Sequence, residues 1–224
     1  MVKKTDEIVK LTDTQHHRLR TEMYLGSRNL HTQTIINWNG KELCAEEVSW
    51  TPAAYCAFRE ILDNSLDEVI GHKHGSKIEV SYDPDTLAFS VSDDGRGIPI
   101  DWDENEKMHK ATMVLVHPRA GRNFGDRGEI RGLNGVGASA TIHCSSVSSV
   151  TIHRNNKKFY QRFAEPTDFM PELQCEEPKI TRSSPDKSGT LVEFTLSGEV
   201  FKHRILPTSF LFARLYEIAS NHPT

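Results

Sequence analysis

The clearest pattern of hydrophobic and polar positions in the chain runs from Phe58 to Ile70. Apolar or small residues recur there at intervals of three and four, which places them along one face of an α-helix. We therefore predict an amphipathic helix with this face in the core. The face consists of Phe58, Ile61, Leu62, Ser65, Leu66, Val69 and Ile70.

The same helix carries a second, polar stripe. Glu60, Asn64 and Asp67 repeat at helical spacing, and Asp63 and Glu68 lie beside them. A solvated surface is the ordinary interpretation of such a stripe. Packing does not need four acids and one amide on a single helix, so these residues are also candidates for chemistry.

Residues at both ends of this helix predict where it begins and ends. Thr51 is a suitable N-cap, and Pro52 suits the first helical position because its missing N–H would have no partner there. Gly71 is expected to end the helix in the left-handed conformation.

Alternating apolar and polar residues predict that much of the remaining chain forms strands. Asn39-Gly40 is a strong turn signal inside a predicted hairpin over residues 31–49. Further strands are expected at 77–82, 87–92, 147–153, 158–163 and 191–196, and further helices at 108–117, 138–143 and 209–219.

Composition limits the classes of protein that fit. With 224 residues, 37% of them hydrophobic and 26% charged, the chain can bury one sizeable core. A formal net charge of -4 provides no general attraction to nucleic acid or to an anionic membrane. We see neither an apolar run of transmembrane length nor a signal peptide, so we expect a cytoplasmic protein without a membrane partner.

The spacing of cysteine and histidine residues indicates neither a disulfide framework nor a metal site. No two cysteines form a C-x-x-C pair. His16-His17 and His72-Lys73-His74 lack further ligands at metal-binding spacing. We expect free thiols at Cys44, Cys56, Cys144 and Cys175.

Two glycine-rich segments are the next candidates for chemistry. A predicted strand ends in Asp93-Asp94-Gly95-Arg96-Gly97-Ile98-Pro99, and six glycines lie between Arg119 and a predicted helix that follows Gly137. Glycines let backbone N–H groups approach an anion, and a helix N-terminus favours negative charge. The second segment therefore predicts a phosphate site, although it is neither a P-loop nor a dinucleotide fingerprint.

A bound triphosphate would connect this segment with the polar stripe of the amphipathic helix. Its magnesium ion needs oxygen ligands, and Asn64 offers a side-chain carbonyl. Glu60, one turn away, is placed to take a proton from the water that attacks the terminal phosphate.

Three motifs resemble the nucleotide-binding boxes of the GHKL ATPases, the family of gyrase, the ninety-kilodalton chaperones, histidine kinases and MutL. Together they are specific, whereas Asp-x-Gly-x-Gly alone is weak evidence. The motifs are Glu60-x-x-x-Asn64, Asp93-x-Gly95-x-Gly97 and Gly132-x-x-Gly135-x-Gly137.

Longer strings resemble the type II topoisomerase branch, and the match covers residues 8–201. Residues 120–126 and the insertion before the amphipathic helix are most similar to the ATPase subunit of tailed-phage type II topoisomerases, which implies the host cytoplasm. The strings are Arg20-Thr21-Glu22-Met23-Tyr24-Leu25-Gly26, Asp63-Asn64-Ser65-Leu66-Asp67-Glu68 and Leu133-Asn134-Gly135-Val136-Gly137.

The resemblance implies a role for each matching residue. Glu60 would be the general base and Asn64 the magnesium ligand. Asp93 would accept a hydrogen bond from the adenine amino group, with help from Thr190. Further nucleotide contacts would come from Gly95, Gly97, Ile98, Arg122, Asn123, Gly132, Leu133, Asn134, Gly135, Val136 and Gly137.

Other residues would support the site. Arg96 would pair with Glu68, for which a plain structural salt bridge is an equal alternative, and Arg154 would lie at the pocket rim. Bacterial gyrases carry a lysine where this chain has Asn123, so another residue must balance the phosphate charge. The candidates are Arg122, Arg127 and Arg131.

The resemblance also implies an architecture: an α/β two-layer sandwich, the GHKL or Bergerat fold, with a mixed, mostly antiparallel sheet and helices on one face. Residues 1–15 would be an N-terminal arm and 16–205 the ATP-binding domain, including an ATP lid at 118–137. Residues 206–224 would lead to a transducer domain, for which 224 residues leave no room. We therefore expect the nucleotide-binding part of a longer subunit.

The implied function is ATP binding and hydrolysis with Mg²⁺ in a type II DNA topoisomerase. ATP-dependent homodimerisation would gate DNA strand passage, with DNA held by other parts of the subunit and by a cleavage-core subunit or domain. Inhibitors of the aminocoumarin type would bind the pocket. A MutL-like repair ATPase and a stand-alone nucleotide-gated binding module with little turnover are the alternatives.

Overall fold

A computed structural model describes residues 8–38, 41–121 and 134–222. Helices cover one face of a large antiparallel sheet. The helices are α1 (Asp13–Leu19), α2 (Pro52–Leu66), α3 (Lys110–Val116), α4 (Gly137–His143) and α5 (Thr208–Asn221). The strands are β1 (His31–Trp38), β2 (Leu43–Trp50), β3 (Ile78–Asp83), β4 (Ala88–Asp93), β5 (Trp102–Asp103), β6 (Met108–His109), β7 (Ser145–Arg154), β8 (Lys157–Ala164), β9 (Gln174–Cys175), β10 (Lys179–Arg182) and β11 (Gly189–Leu196).

The main sheet has the strand order β10-β8-β7-β11-β4-β3, and β9 pairs with β8. β3-β4 and β7-β8 are hairpins of strands that are adjacent in the sequence. β11 lies between these two hairpins and pairs with both β4 and β7. The predicted two-layer fold is confirmed. Every strand pair in the described part of this sheet is antiparallel, so the parallel pairing of a mixed sheet is not seen there.

The core lies between α2 and the helix-facing side of the sheet. The predicted inward stripe of α2 is confirmed, since Phe58, Ile61, Leu62 and Leu66 are at most 2% exposed. Phe58 stacks on Phe89 of β4 with ring centroids 5.6 Å apart. This packing fixes α2 against the centre of the sheet, because buried aromatic rings contribute large apolar areas.

Helix α2 begins as predicted, with Thr51 at the N-cap position and Pro52 in the first turn, but its C-terminal end differs from the prediction. The Thr51 hydroxyl makes no capping bond and donates instead to the His203 carbonyl. The helix continues past Leu66 as a π-helical turn, Asp67–Gly71. Gly71 is not left-handed, so that prediction was wrong; Lys73, with φ 57°, and Gly75, with φ 91°, turn the chain instead.

Other helix boundaries also differ from the predicted ones. Helix α1 begins at Asp13, inside the expected N-terminal arm, with a capping box formed by Thr12 and Gln15. The first two residues of the helix predicted at 108–117 form β6, and α3 starts at Lys110. The 31–49 hairpin is confirmed as β1-β2, although its turn, Asn39-Gly40, lies outside the described residues.

The four cysteines are free thiols. No helix in residues 8–222, leaving aside the two gaps, combines the length and apolar character needed to cross a membrane.

Core packing predicts very different costs for two identical truncations. Leu62 is 1% exposed in α2, whereas Leu43 in the β1-β2 hairpin is 71% exposed. Leu62→Ala should lower the free energy of unfolding by about 2 to 5 kcal/mol, because it leaves a cavity. Leu43→Ala, its matched control, should change it by less than about 0.5 kcal/mol. Urea unfolding checks both, and equal losses would contradict the assigned core.

Candidate active site

The C-terminal half of α2 lies against the end of β4. One residue after Asn64, the Ser65 hydroxyl donates to Oδ2 of Asp93 at 2.9 Å. The Gly95 N–H donates to Oδ1 of the same carboxylate at 3.0 Å. The Asp93 carboxylate is therefore held by neutral donors at the point where its strand ends, with a further hydrogen bond from the Thr190 backbone.

The surroundings of Asp93 are mostly apolar. Ile61, Val91 and Val192 are buried nearby, and Thr190 lies directly opposite Asp93 on β11. Burial raises the pKa of Asp93 above its ordinary value, while the hydrogen bonds from Ser65 and the Gly95 backbone oppose this rise. Burial thus disfavours the ionised form of this carboxylate, and specific donors stabilise it.

A bidentate ion pair fixes the loop after β4. Glu68 accepts the Arg96 side chain through Nε at 2.8 Å and Nη2 at 3.1 Å, and it also accepts the Arg96 backbone N–H at 2.9 Å. A Cβ atom at Gly95 would overlap the Glu68 side chain. The Arg154 guanidinium donates to the Gly97 carbonyl on the same loop. The predicted Glu68–Arg96 pair is therefore present and has a clear structural effect.

The polar stripe of α2 meets the start of α4. A Cβ atom at Gly137 would overlap the carboxylate of Glu60, so the two helices approach this closely only because Gly137 has no side chain. The Thr141 hydroxyl, one turn into α4, donates to the Ala57 carbonyl at 3.2 Å. Arg59 Nη2 lies 3.5 Å from Oε1 of Glu60.

The remaining predicted residues differ in what the structure shows. Asn64 and Asn134 are exposed, so the Asn64 amide is open to a ligand. Gly135 has φ 62°, and its carbonyl accepts the Arg119 N–H at 2.7 Å, which ties the start of the predicted lid to the glycine segment. Six predicted site residues lie outside the described ranges: Arg122, Asn123, Arg127, Arg131, Gly132 and Leu133.

The arrangement combines a half-buried acceptor, an acid and an amide one turn apart on one helix, and a glycine segment against that acid. The family model described as "Histidine kinase-, DNA gyrase B-, and HSP90-like ATPase" matches residues 53–199. The chain belongs to this ATPase family. The matched range contains β4, α4 and all of α2 except its first residue, and thus the described elements of the site.

Relatives of this ATPase domain are type II topoisomerases and gyrases. DNA topoisomerase 2 of Pisum sativum is 29% identical over 197 residues, or 86% of this chain and 13% of the relative. The ATPase and transducer domains of DNA topoisomerase II from Balamuthia mandrillaris have a TM-score of 0.77 and 29% identity, over 91% of this chain and 54% of that one. The 43K ATPase domain of Thermus thermophilus gyrase B, in complex with an aminocoumarin, has a TM-score of 0.67 and 25% identity, over 92% and 45%.

These comparisons confirm the resemblance to the type II topoisomerase branch. The chain spans about an eighth of the pea enzyme and about half of each solved chain. The similarity to phage subunits stays a prediction.

Sequence reasoning missed two residues of the candidate site. Ser65 was assigned to the core stripe, yet a lone hydroxyl among inward apolar residues was a signal for a buried hydrogen bond. Gly189, which precedes the strand predicted at 191–196, was given no role. It has φ 126°, and a Cβ atom there would overlap the Asp93 carbonyl, so Gly189 lets β11 pass close to Asp93.

This close approach predicts a strong effect of one methyl group. Gly189→Ala should lower the free energy of unfolding by about 2 kcal/mol or more, because alanine would be strained at this φ and would overlap backbone. Gly198→Ala is the matched control, since the nearest atom to its added Cβ is 3.9 Å away. The control should change stability by less than about 1 kcal/mol in the same urea titration. Similar values for both variants would refute the assigned contact.

Proposed function

We propose that this domain binds ATP with Mg²⁺ and hydrolyses it, and that the complete protein uses this reaction as a type II DNA topoisomerase. The observation that carries the proposal is the contact between Glu60 and Gly137. It brings a candidate base to the backbone segment best suited to hold phosphates. Membership of the ATPase family supports ATP as the ligand.

Asp93 binds the adenine end of the nucleotide. Its ionised carboxylate accepts a hydrogen bond from the exocyclic amino group, while Ser65, Gly95 and the Thr190 backbone occupy other acceptor positions. Thr190, opposite Asp93, adds a hydroxyl that already accepts the Ile98 N–H at 3.3 Å. The apolar walls exclude water from the base.

The glycine segment binds the phosphates. The first N–H groups of a helix have no intrahelical partner, and at Gly135, Val136 and Gly137 little side-chain bulk covers them. Backbone donors suit a triphosphate because they bring partial positive charge without a mobile side chain. In this proposal, residues of the lid, at 118–137, provide further hydrogen-bond donors to the phosphates.

The polar stripe of α2 provides the residues for ATP hydrolysis. Asn64 fits a magnesium site, because its exposed amide provides a hard oxygen one turn from Glu60. The ion, when bound, neutralises charge on the phosphates. Glu60 holds the attacking water and accepts its proton at the carboxylate.

The remainder of the function belongs to the complete protein. A net charge of -4 leaves DNA contacts to other parts of the subunit or to a cleavage-core partner. ATP-dependent dimerisation of two such domains then gates strand passage. An isolated ATPase domain would hydrolyse ATP slowly in this proposal, because turnover depends on dimerisation. Aminocoumarin-type inhibitors compete with ATP for the proposed adenine site at Asp93, with Arg154 at its rim.

Glu60→Gln tests the assigned base. It preserves the shape of the side chain against Gly137 but cannot accept the proton, so phosphate release by the full-length protein should fall by about 10² to 10⁴. Calorimetric affinity for a non-hydrolysable ATP analogue should stay within about threefold, because Glu60 acts in the reaction step.

Glu79→Gln, on β3, is the control, because the Glu79 side chain is 66% exposed and lies on a strand edge away from α2. It should leave phosphate release unchanged. Turnover by Glu60→Gln at the unmodified rate would rule out the base assignment. Nucleotide binding without phosphate release by the unmodified full-length protein would favour the stand-alone binding module.

Asp93→Asn tests the adenine contact. The amide cannot provide the same charged acceptor, so the affinity for the ATP analogue should fall by about tenfold or more. Asp85→Asn, in the exposed turn between β3 and β4, is the control and should bind normally. An unchanged calorimetric Kd for Asp93→Asn would remove Asp93 from the site.

A further inference from the structure

Ser65 is a polar residue on the buried face of α2. Only 6% of its surface is exposed, and its neighbours on the face are apolar. Its hydroxyl donates to Asp93 Oδ2 at 2.9 Å, although serine in a helix often bonds to its own helix backbone. The hydroxyl is therefore directed at the carboxylate that the proposed function assigns to adenine.

The donors around Asp93 are all neutral. Ser65 supplies an O–H to Oδ2, and Gly95 supplies an N–H to Oδ1. Ile78 and Thr190, the residues opposite Asp93 on the two flanking strands, carry no charge. The Thr190 backbone also stabilises the ionised form through a hydrogen bond. Three donors do not use all the lone pairs of the two carboxylate oxygens, so the ionised group still accepts from a ligand.

We propose that Ser65 is a positioning residue that makes the site choose adenine over guanine by holding Asp93 as a hydrogen-bond acceptor. This inference rests on the proposed function. Adenine offers an amino donor where guanine offers the carbonyl oxygen O6. Two acceptors facing each other leave a buried lone pair unsatisfied, so an ionised Asp93 rejects guanine.

The electrostatics of the pocket explain why a donor is needed. Burial raises the pKa of Asp93, and the nearby charge of Glu68, from the π-helical turn, raises it further. The Glu68 charge is itself paired with Arg96. Ser65 and the Gly95 N–H counteract both effects by stabilising the ionised form. Without the Ser65 hydroxyl, the pKa of Asp93 rises further, and a protonated carboxyl can donate to guanine O6.

The direction of the pH dependence follows from this argument. The ionised form of Asp93 is the one that favours adenine, so adenine preference falls as pH falls through the pKa of Asp93. Removing the Ser65 donor raises that pKa, and the fall then begins at a higher pH. A residue that only filled space would not move this profile.

The experiment compares AMP-PNP with GMP-PNP, both with Mg²⁺, by calorimetry between about pH 5.5 and 8. In Ser65→Ala, AMP-PNP affinity should fall by about tenfold or more, with the adenine preference reduced and its decline shifted to higher pH. Ser65→Thr keeps a hydroxyl and should restore both the preference and the profile. Thermal unfolding of each variant establishes that it is folded.

Ser148→Ala is the matched control. Ser148 is 2% exposed on β7, and its hydroxyl has no hydrogen-bond partner among the described residues, so the control removes the same atom without breaking a bond. It should behave as the unmodified chain. A folded Ser65→Ala with unmodified preference and pH profile overturns the role of Ser65 and leaves the proposed function intact. A folded Ser65→Thr that fails to restore them also overturns it. No AMP-PNP binding by the unmodified chain overturns the proposed function and this inference with it.

Discussion

The site depends on the close approach of α2 to bare backbone. Gly137 lies against the carboxylate of Glu60, and Gly95 lies against the side chain of Glu68. A methyl group at either position would occupy the same space as an acid. The acids of α2 and of the π-helical turn that follows it therefore reach peptide groups directly, and this is the geometry that an anionic ligand between helix and backbone requires.

The same helix also organises the core, which gives the site its rigidity. Phe58 and Leu62 are buried against the sheet, with Phe58 stacked on Phe89. Because these side chains fix the rotation of α2, they also fix where Glu60 and Asn64 point. Chemistry that depends on placing a water and an ion relative to a phosphate needs this kind of support. The buried stripe of α2 therefore holds the polar stripe of the same helix in position.

Features that depend on residues close together in the sequence could be predicted, whereas those that depend on distant residues could not. The body of α2 was predicted because its periodicity is local, and so were the strands of the β3-β4 and β7-β8 hairpins. The order of strands was not, since β11 joins two hairpins through pairing that leaves no local trace. Gly71 was misjudged because the buried residues Asp67 and Glu68 continue the helix as a π-helical turn. Ser65 was overlooked because its partner is 28 residues away.

Two acids near the end of β4 show how environment separates their roles. Glu68 uses both carboxylate oxygens on Arg96, so its charge is neutralised within the fold. Asp93 receives only neutral donors and keeps free lone pairs, while burial makes its ionised form costly. An acid that is fully paired holds structure together, whereas one that is stabilised without being neutralised is prepared for a ligand. The ion pair fixes the loop and leaves the second acid to bind the ligand.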